Sequence, residues 1–327
     1  MKKIVSALLL VTVFISGCNL FKKDPQKTVN DAVGKLAEVK KMSTLVVMSG
    51  TIQAPGETPS KVKFSINVSG KTDTSDKDSP KVDTVLKAEA DVDGQKASGE
   101  VLFRSVDKKM YVKVGTLNMP GEAGAALNTQ LASVLNTWWS LPAGSENPIG
   151  KFGSEQQELQ EAFKTTKFFT NAREAGEEDV QGMKNVKYTV DLDKDALKKF
   201  ILDAARLTEN QVSPEEELAI GDSLKDVEFS GAVWVGDDDY LHRVKGTVAV
   251  QPKQGPSSSF EIDYSSWDYG KDVAVSKPSD SKEFNPLMLL PLLGAFGALD
   301  GAGGGLPAGD LPPGTPIDNP LGAEQVK

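Results

Sequence analysis

Residues 61–68 read Lys-Val-Lys-Phe-Ser-Ile-Asn-Val, with an apolar side chain at every second position. Val62, Phe64, Ile66 and Val68 therefore alternate strictly with polar neighbours. Because successive side chains of a β-strand point to opposite faces of its sheet, this pattern predicts a strand with one apolar face and one face in water.

Segments of similar character lie on both sides of this strand. They are rich in Val, Ile, Thr and Phe, and they cover residues 43–53, 82–92, 95–105 and 109–114. Turn-forming residues separate them, and Asp93-Gly94 is a strong signal for a two-residue hairpin turn. We therefore predict an antiparallel meander.

Helical spacing occurs before and after this meander. Asp24 followed by Pro25 is a helix start, and Ser213-Pro214-Glu215-Glu216 forms a capping box. Further helices are predicted at 127–135, 154–165 and after Asp193, and later strands at 168–169, 186–192, 227–235, 240–250 and 258–264. Strands and helices that come in runs favour an α+β fold with a mainly antiparallel sheet over a doubly wound nucleotide fold.

The N-terminus has the pattern of a secretory signal. Lys2 and Lys3 precede an apolar run at 4–15, which is broken only by Ser6 and Thr12 and is too short to span a bilayer. Ser16-Gly17-Cys18 follows, and Cys18 is the single cysteine of the 327 residues. We predict a signal peptide over residues 1–17, and a lone thiol excludes internal disulfides and CxxC chemistry.

The stretch Ile15-Ser16-Gly17-Cys18 resembles the lipobox of bacterial lipoproteins. The resemblance implies cleavage before Cys18, a diacylglyceryl thioether on its sulfur and a further acyl chain such as palmitate on the new N-terminus. Several acyl chains give stable anchoring that one chain would not. Residues 18–24 would then be a lipidated tether. An ordinary signal with an incidental cysteine is the alternative.

The charge of the chain restricts its partners. The formal net charge is −9, and loss of residues 1–17, which carry two lysines and no acid, makes it −11. Such an acidic protein repels phosphate backbones, so nucleic acid is not expected as a partner. The acyl anchor would have to supply the affinity for the membrane.

Catalytic and metal-binding motifs are absent from the sequence. His242 is the only histidine and falls in a predicted strand, where a satisfied side chain is expected. Asp191, Asp193 and Asp195 have the spacing of a calcium loop, but that loop needs a glycine where Ala196 stands. The acids at 237–239 are expected to form a solvated turn. We predict no enzyme activity, no cofactor and no metal site.

Aromatic residues cluster in the middle of the chain. Trp138 and Trp139 are predicted to end a helix, and Phe163, Phe168 and Phe169 follow. Two adjacent tryptophans on a helix cannot both point into one core, so one is expected at a cleft or near the surface. These five residues are our candidates for the lining of an apolar cavity. Ordinary packing between helix and sheet is the alternative.

The composition changes after Phe284. Residues 287–296 are apolar but interrupted by Pro291 and Gly294, and residues 301–327 are dominated by Gly, Pro and Ala. We expect a globular domain over 25–284 and a disordered tail over 285–327. The apolar run could contact membrane or a partner, or fold back on the domain, which is the more common outcome.

Several short segments of the sequence resemble the mycobacterial LppX/LprG-type lipoproteins and carriers of the LolA/LolB-like fold. They are residues 43–47, Met110-Tyr111-Val112-Lys113-Val114, residues 138–142, residues 188–197, and the pair 233–236 and 241–243. The resemblance runs loosely over residues 25–284. It implies a curved antiparallel half-barrel whose concave face is covered by helices around an apolar cavity that binds acylated lipids.

The preferred hypothesis is a lipoprotein outside the cytoplasm that binds or carries an acylated lipid in an apolar cavity. The anchor would hold it to the cell membrane, or to the outer membrane in a Gram-negative organism. The alternative hypothesis is a non-enzymatic cell-envelope interaction protein with a filled core. The two differ in whether the concave face holds a continuous apolar void.

Overall fold

The structure is a computed structural model that describes residues 23–54, 60–76, 79–141, 152–207, 212–251 and 257–284. Cys18, the predicted signal peptide and the predicted tail lie outside these described residues.

The described residues form one sheet of twelve strands. In chain order these are β1 (Lys41–Ala54), β2 (Ser60–Asp73), β3 (Lys81–Val92), β4 (Gln95–Val106), β5 (Lys109–Asn118), β6 (Trp139–Leu141), β7 (Phe169–Val180), β8 (Met183–Leu192), β9 (Val227–Gly236), β10 (Leu241–Val250), β11 (Ser258–Trp267) and β12 (Lys282–Glu283). Their order in the sheet is β12-β6-β5-β4-β3-β2-β1-β11-β10-β9-β8-β7. Every pairing is antiparallel except that of β12 with β6.

Local sequence explains the turns and helix starts. Asp93 and Gly94 both have positive φ, 52° and 88°, so the predicted two-residue hairpin joins β3 to β4. Five helices are described: α1 (Pro25–Leu36), α2 (Gly121–Leu131), α3 (Phe152–Thr165), α4 (Lys194–Leu207) and α5 (Pro214–Lys225). The Asp24 carboxylate accepts from the first backbone N–H groups of α1, and the predicted capping box of Ser213 and Glu216 opens α5.

The buried core lies where α1 crosses strands β8, β9 and β10, near the β7 edge of the sheet. Val29, Ala32 and Val33 of this helix pack against the inner side of strands β8, β9 and β10. Helix α3 packs on α1, α4 on α3, and α5 on α4, while α2 packs on β5. The predicted class is confirmed: an α+β fold with a curved, mainly antiparallel half-barrel sheet and helices on its concave face.

The structure corrects two local predictions. Trp138 and Trp139 do not end a helix, because α2 ends at Leu131 and Trp139 begins β6. Strand β7 extends to Val180, well beyond the predicted Phe168-Phe169 pair. It is an edge strand whose residues are mostly exposed, and its register slips twice against β8. Because residues 173–179 are exposed on both faces, this part of the strand has no apolar alternation for a sequence pattern to detect.

Residues 268–284, here called the strap, run from the end of β11, in the middle of the sheet, to the edge formed by β6 and β12. The amide of Gly270 donates to the carbonyl of Lys41 over 3.0 Å, and a guanidinium nitrogen of Arg104 donates to the carbonyl of Ser276 over 3.1 Å. The strap ends as β12, beside Trp139. It thereby connects strands that are distant in the order of the sheet.

Candidate functional site

One face of the sheet carries a continuous apolar surface. The cross-strand register aligns nine apolar residues in a single row from β8 to β5: Tyr188, Val233, Val244, Tyr264, Val46, Val68, Leu86, Val101 and Val114. A second row on the same face contains Ile262, Met48, Ile66 and Ala88. Because the row reaches Tyr188 and Val233, which pack under α1, this apolar face is the face that the helices cover.

Coverage of this apolar face is uneven. Val233, under α1, has no exposed surface, whereas Val46, Val68, Leu86 and Val101 are only partly buried. At the margins Ile52, Val92 and Phe103 of the same face are 44%, 40% and 37% exposed. Within the described residues, the apolar strip over β1–β4 thus remains partly open to solvent.

The opposite face of the sheet is mostly polar and carries ion pairs between neighbouring strands. Arg243 donates to Asp263 over 2.8 Å, Lys245 lies 2.8 Å from Glu261, and Arg104 lies 3.0 Å from Asp83. A further pair joins Lys87 to Glu100. This polarity identifies the ion-paired face as the one that meets water. Contact with water is unfavourable for the apolar face, which is nevertheless partly open.

Trp234 shows how the polar face accommodates an aromatic ring. The indole is buried, with Lys187 and Arg243 placed 5.0 and 5.1 Å from its ring centre. Its Nε1 donates to the Glu178 carboxylate over 3.0 Å. Hydrogen bonds from Lys187 and then Trp234 hold the pKa of Glu178 below its ordinary value.

The two candidate tryptophans lie on different faces. Trp139 is buried on the apolar face, paired with Val112, and its Nε1 donates to the carbonyl of Val134 over 3.2 Å. Trp138 lies on the polar side, where the guanidinium of Arg104 is 4.9 Å from its ring centre. Successive side chains of a strand point to opposite faces of the sheet. Only one of the two tryptophans therefore enters the core, as expected, but the cause is the geometry of a strand and not that of a helix.

The three candidate phenylalanines pack against the same core, near the β7 edge of the sheet. The rings of Phe163 and Phe168 are 5.1 Å apart, and those of Phe169 and Phe229 are 6.1 Å apart. All four pack against the core under α1. The structure therefore groups the phenylalanines but separates them from Trp138 and Trp139, which lie near the opposite edge of the strand order.

The central residues of the open strip were not among the candidates predicted from the sequence. Met48, Ile66 and Leu86 occupy its centre. The signal was present in the strict alternation of residues 61–68, which assigns Ile66 to an apolar face. What the alternation could not give is how much of that face the helices would cover.

His242 is a satisfied structural residue, as the sequence predicted. Its ring is buried, with Nδ1 at 3.0 Å from the carbonyl oxygen of Ser266 and Nε2 at 3.1 Å from the Asp238 carboxylate. The hydroxyls of Ser266 and Tyr269 both donate to the carbonyl of Leu241, and burial raises the pKa of Tyr269. These bonds fix the start of the strap to β10.

The acidic turn at 237–239 is occupied by partners from the chain itself. Asp239 pairs with Lys23 over 2.5 Å and with Lys35 over 3.5 Å, and the Lys23 hydrogen bond lowers the pKa of Asp239. Asp238 faces His242. Over the part of the chain that the structure describes, no cluster of three or more acidic, His or Cys side chains is arranged to hold a metal ion.

The start of the described chain is attached to one end of the sheet. Lys23, five residues after Cys18, is held at the turn between β9 and β10, and five residues reach at most about 18 Å. We call this the tether end of the sheet. None of the described helices is both long and apolar enough to cross a membrane.

Comparison with solved structures returns lipoproteins and LolA-like proteins. LprF from Mycobacterium bovis has 15% sequence identity and a TM-score of 0.37, over 78% of this chain and 96% of that one. The Mycobacterium tuberculosis lipoprotein LppX has 12% identity and a TM-score of 0.33, over 78% and 100% of the two chains. A LolA superfamily protein from Nitrosomonas europaea has 9% identity and a TM-score of 0.16, over 77% and 96%.

These solved structures belong to the same kind of protein that the short sequence segments resemble. No protein-family model matches this chain, and no curated protein does.

Proposed function

We propose that this protein is a non-enzymatic lipoprotein outside the cytoplasm, anchored through acyl chains on Cys18, that binds an acylated lipid on the concave apolar face of its half-barrel. The observation that carries the proposal is the partly open apolar strip over β1–β4, continuous in register with the core under α1.

The energetics of this strip favour an apolar ligand. Apolar surface left in contact with water forfeits about 25 cal/mol per Å² of the stabilisation that burial would give. An acyl chain laid against the strip recovers about 0.8 kcal/mol for each buried CH₂. A long narrow surface, one strand spacing of about 4.8 Å after another, suits a chain more than a compact polar molecule.

The anchor is supported by the sequence and by the attachment of the chain start. The lipobox-like Ile15-Ser16-Gly17-Cys18 stands five residues before Lys23, which pairs with Asp239. A lipidated Cys18 would therefore hold the tether end of the sheet close to the membrane, and the protein would remain attached to the cell membrane, or to the outer membrane of a Gram-negative organism.

Binding of a fluorescent fatty-acyl probe by the soluble domain, expressed without residues 1–18, tests the proposal. The cross-strand pair Met48 and Ile66 lies on the apolar face, and the adjacent pair Val47 and Asn67 lies on the polar face. We expect Met48→Gln/Ile66→Gln to weaken probe binding by roughly tenfold or more, since each apolar side chain contributes about 1.5–3 kcal/mol when buried.

The matched control is Val47→Gln/Asn67→Gln, which adds the same side chains on the other face of the same strands. It should bind the probe as the unaltered domain does. Equal binding by both variants, or no binding by the unaltered domain, would refute the lipid-carrier proposal and favour the envelope interaction protein.

A further inference from the structure

A cationic cleft lies between the strap and the polar side of β4 and β5. Its volume is about 710 Å³, and the residues that matter are Arg104, Lys113, Trp138, Lys277, Asp280 and Lys282. Two lysines, Lys113 and Lys277, therefore accompany one aspartate here, because Arg104 is already paired with Asp83 and the Lys282 side chain lies beside Trp139 on the apolar face. This local excess of positive charge stands out in a chain whose formal net charge is −9.

The cations of the cleft surround an aromatic ring. The Arg104 guanidinium lies 4.9 Å and the Lys113 ammonium 6.0 Å from the centre of the Trp138 ring. The Lys282 ammonium lies 5.9 Å from the other ring, that of Trp139 on the apolar face, and so does not add to the charge around Trp138. Within the described residues, no ion pair joins a carboxylate to Lys113 or Lys277, so their donors are available to a ligand.

Arg104 forms part of the wall of the cleft. Its terminal nitrogens are taken by Asp83 and by the carbonyl of Ser276. Its Nε is buried and finds no hydrogen-bond partner among the described residues. The contacts with Asp83 and Ser276 hold the guanidinium in a fixed position at the wall of the cleft.

The cleft lies toward the tether end of the sheet. Antiparallel pairing brings the turn at 107–108, between β4 and β5, to the same end as the β9–β10 turn that holds Lys23. If the proposed anchor holds this end at a bilayer, the cleft lies near the phosphate layer of the lipids. Lysines close to an anionic lipid surface are attracted to it electrostatically.

We infer that this cleft binds a phosphate group, as carried by an anionic phospholipid headgroup or by a soluble phosphate ester. Ammonium and guanidinium donors bind phosphate through charge-assisted hydrogen bonds, and Trp138 provides an apolar wall for the group that carries it. The membrane source rests on the proposed anchoring, whereas the phosphate chemistry does not.

Two probes distinguish the sources, both used with the soluble domain that lacks residues 1–18. One is glycerol phosphate, followed by calorimetry and tryptophan fluorescence. The other is sedimentation with phosphatidylcholine vesicles with and without phosphatidylglycerol. Binding of glycerol phosphate supports a phosphate site open to soluble esters, and binding only to the phosphatidylglycerol vesicles supports a headgroup site.

The variant Lys113→Glu/Lys277→Glu should weaken binding of the responding probe by roughly tenfold or more. The control Lys61→Glu/Lys63→Glu makes the same change of charge on exposed lysines at the far end of β2 and should leave that binding within about twofold. The milder pair Lys113→Gln/Lys277→Gln serves if the reversal disturbs folding.

Equal losses in the two charge-reversed pairs would show a general charge effect and overturn the inference. Absence of binding to both probes by the unaltered domain would overturn it as well. Neither result bears on the fatty-acyl probe, which tests the opposite face of the sheet, so the two proposals can fail independently.

Discussion

The ring of Phe229 lies directly over Gly246 on the apolar face of the sheet. A Cβ added at Gly246 would meet two ring carbons of Phe229 at 2.5 and 2.7 Å, and one added at Gly231 would meet the ring at 2.5 Å. Two glycines facing each other across β9 and β10 thus create the space that the ring fills. The apolar face is therefore closely packed over β9 and β10, in contrast to the partly open strip over β1–β4.

Gly246→Ala should destabilise the domain by about 1–3 kcal/mol, because the methyl group overpacks a site with no free space. Chemical denaturation measures the change. Gly99→Ala is the matched control, since its Cβ would meet Leu117 at an ordinary 3.6 Å on the same face of β4. A loss at Gly99 as large as that at Gly246 would contradict this account of the packing.

Cys18→Ala should abolish membrane association, since the lipobox sulfur is the proposed site of the anchor. Fractionation of expressing cells and detergent-phase partitioning measure this. Asn19→Ala keeps the thiol and should leave the protein in the membrane fraction. Persistence of Cys18→Ala in the detergent phase would contradict the anchor.

Removal of residues 285–327 should leave the thermal midpoint unchanged, because the Gly- and Pro-rich composition predicts a tail without a core role. Removal of residues 268–327 is the comparison. It also deletes the strap with its buried Val273 and the Tyr269 bond to Leu241, so it should lower the midpoint markedly. A large loss from the shorter deletion would mean that residues 287–296 are part of the core.

The hydrogen bond from Trp234 to Glu178 should be sensitive to acid. Because hydrogen bonds lower the pKa of Glu178, its stabilising contribution is complete above the ordinary value of about 4.3 and is lost as pH falls through the lower folded value. The side-chain N–H resonance of Trp234 should shift over that acidic range. Glu178→Gln should remove the titration, and a midpoint above the ordinary value would contradict the assignment.

The fold could be predicted largely from local signals. The alternation of residues 61–68, the Asp93-Gly94 turn and the capping box at Ser213 each depend on neighbours in sequence, and all appear in the structure. Strand β7 was largely missed because it pairs with β8 alone and its residues 173–179 are exposed on both faces.

The candidate surface was less predictable because it depends on coverage, which is a property of the assembled fold. Trp139 and Phe168 were selected together for their aromatic character, yet the strand order separates them. Met48 and Leu86 were not selected, since a half-exposed strand residue and a buried one have the same alternating pattern.

The most direct test of lipid binding is mass spectrometry of lipid extracted from the soluble domain, expressed without residues 1–18 in a secreting host and purified without detergent. Lipid binding on the apolar face predicts an acylated lipid at a stoichiometric level, strongly reduced in Met48→Gln/Ile66→Gln and retained in Val47→Gln/Asn67→Gln. A domain that purifies free of lipid and takes up none when lipid is supplied would contradict it.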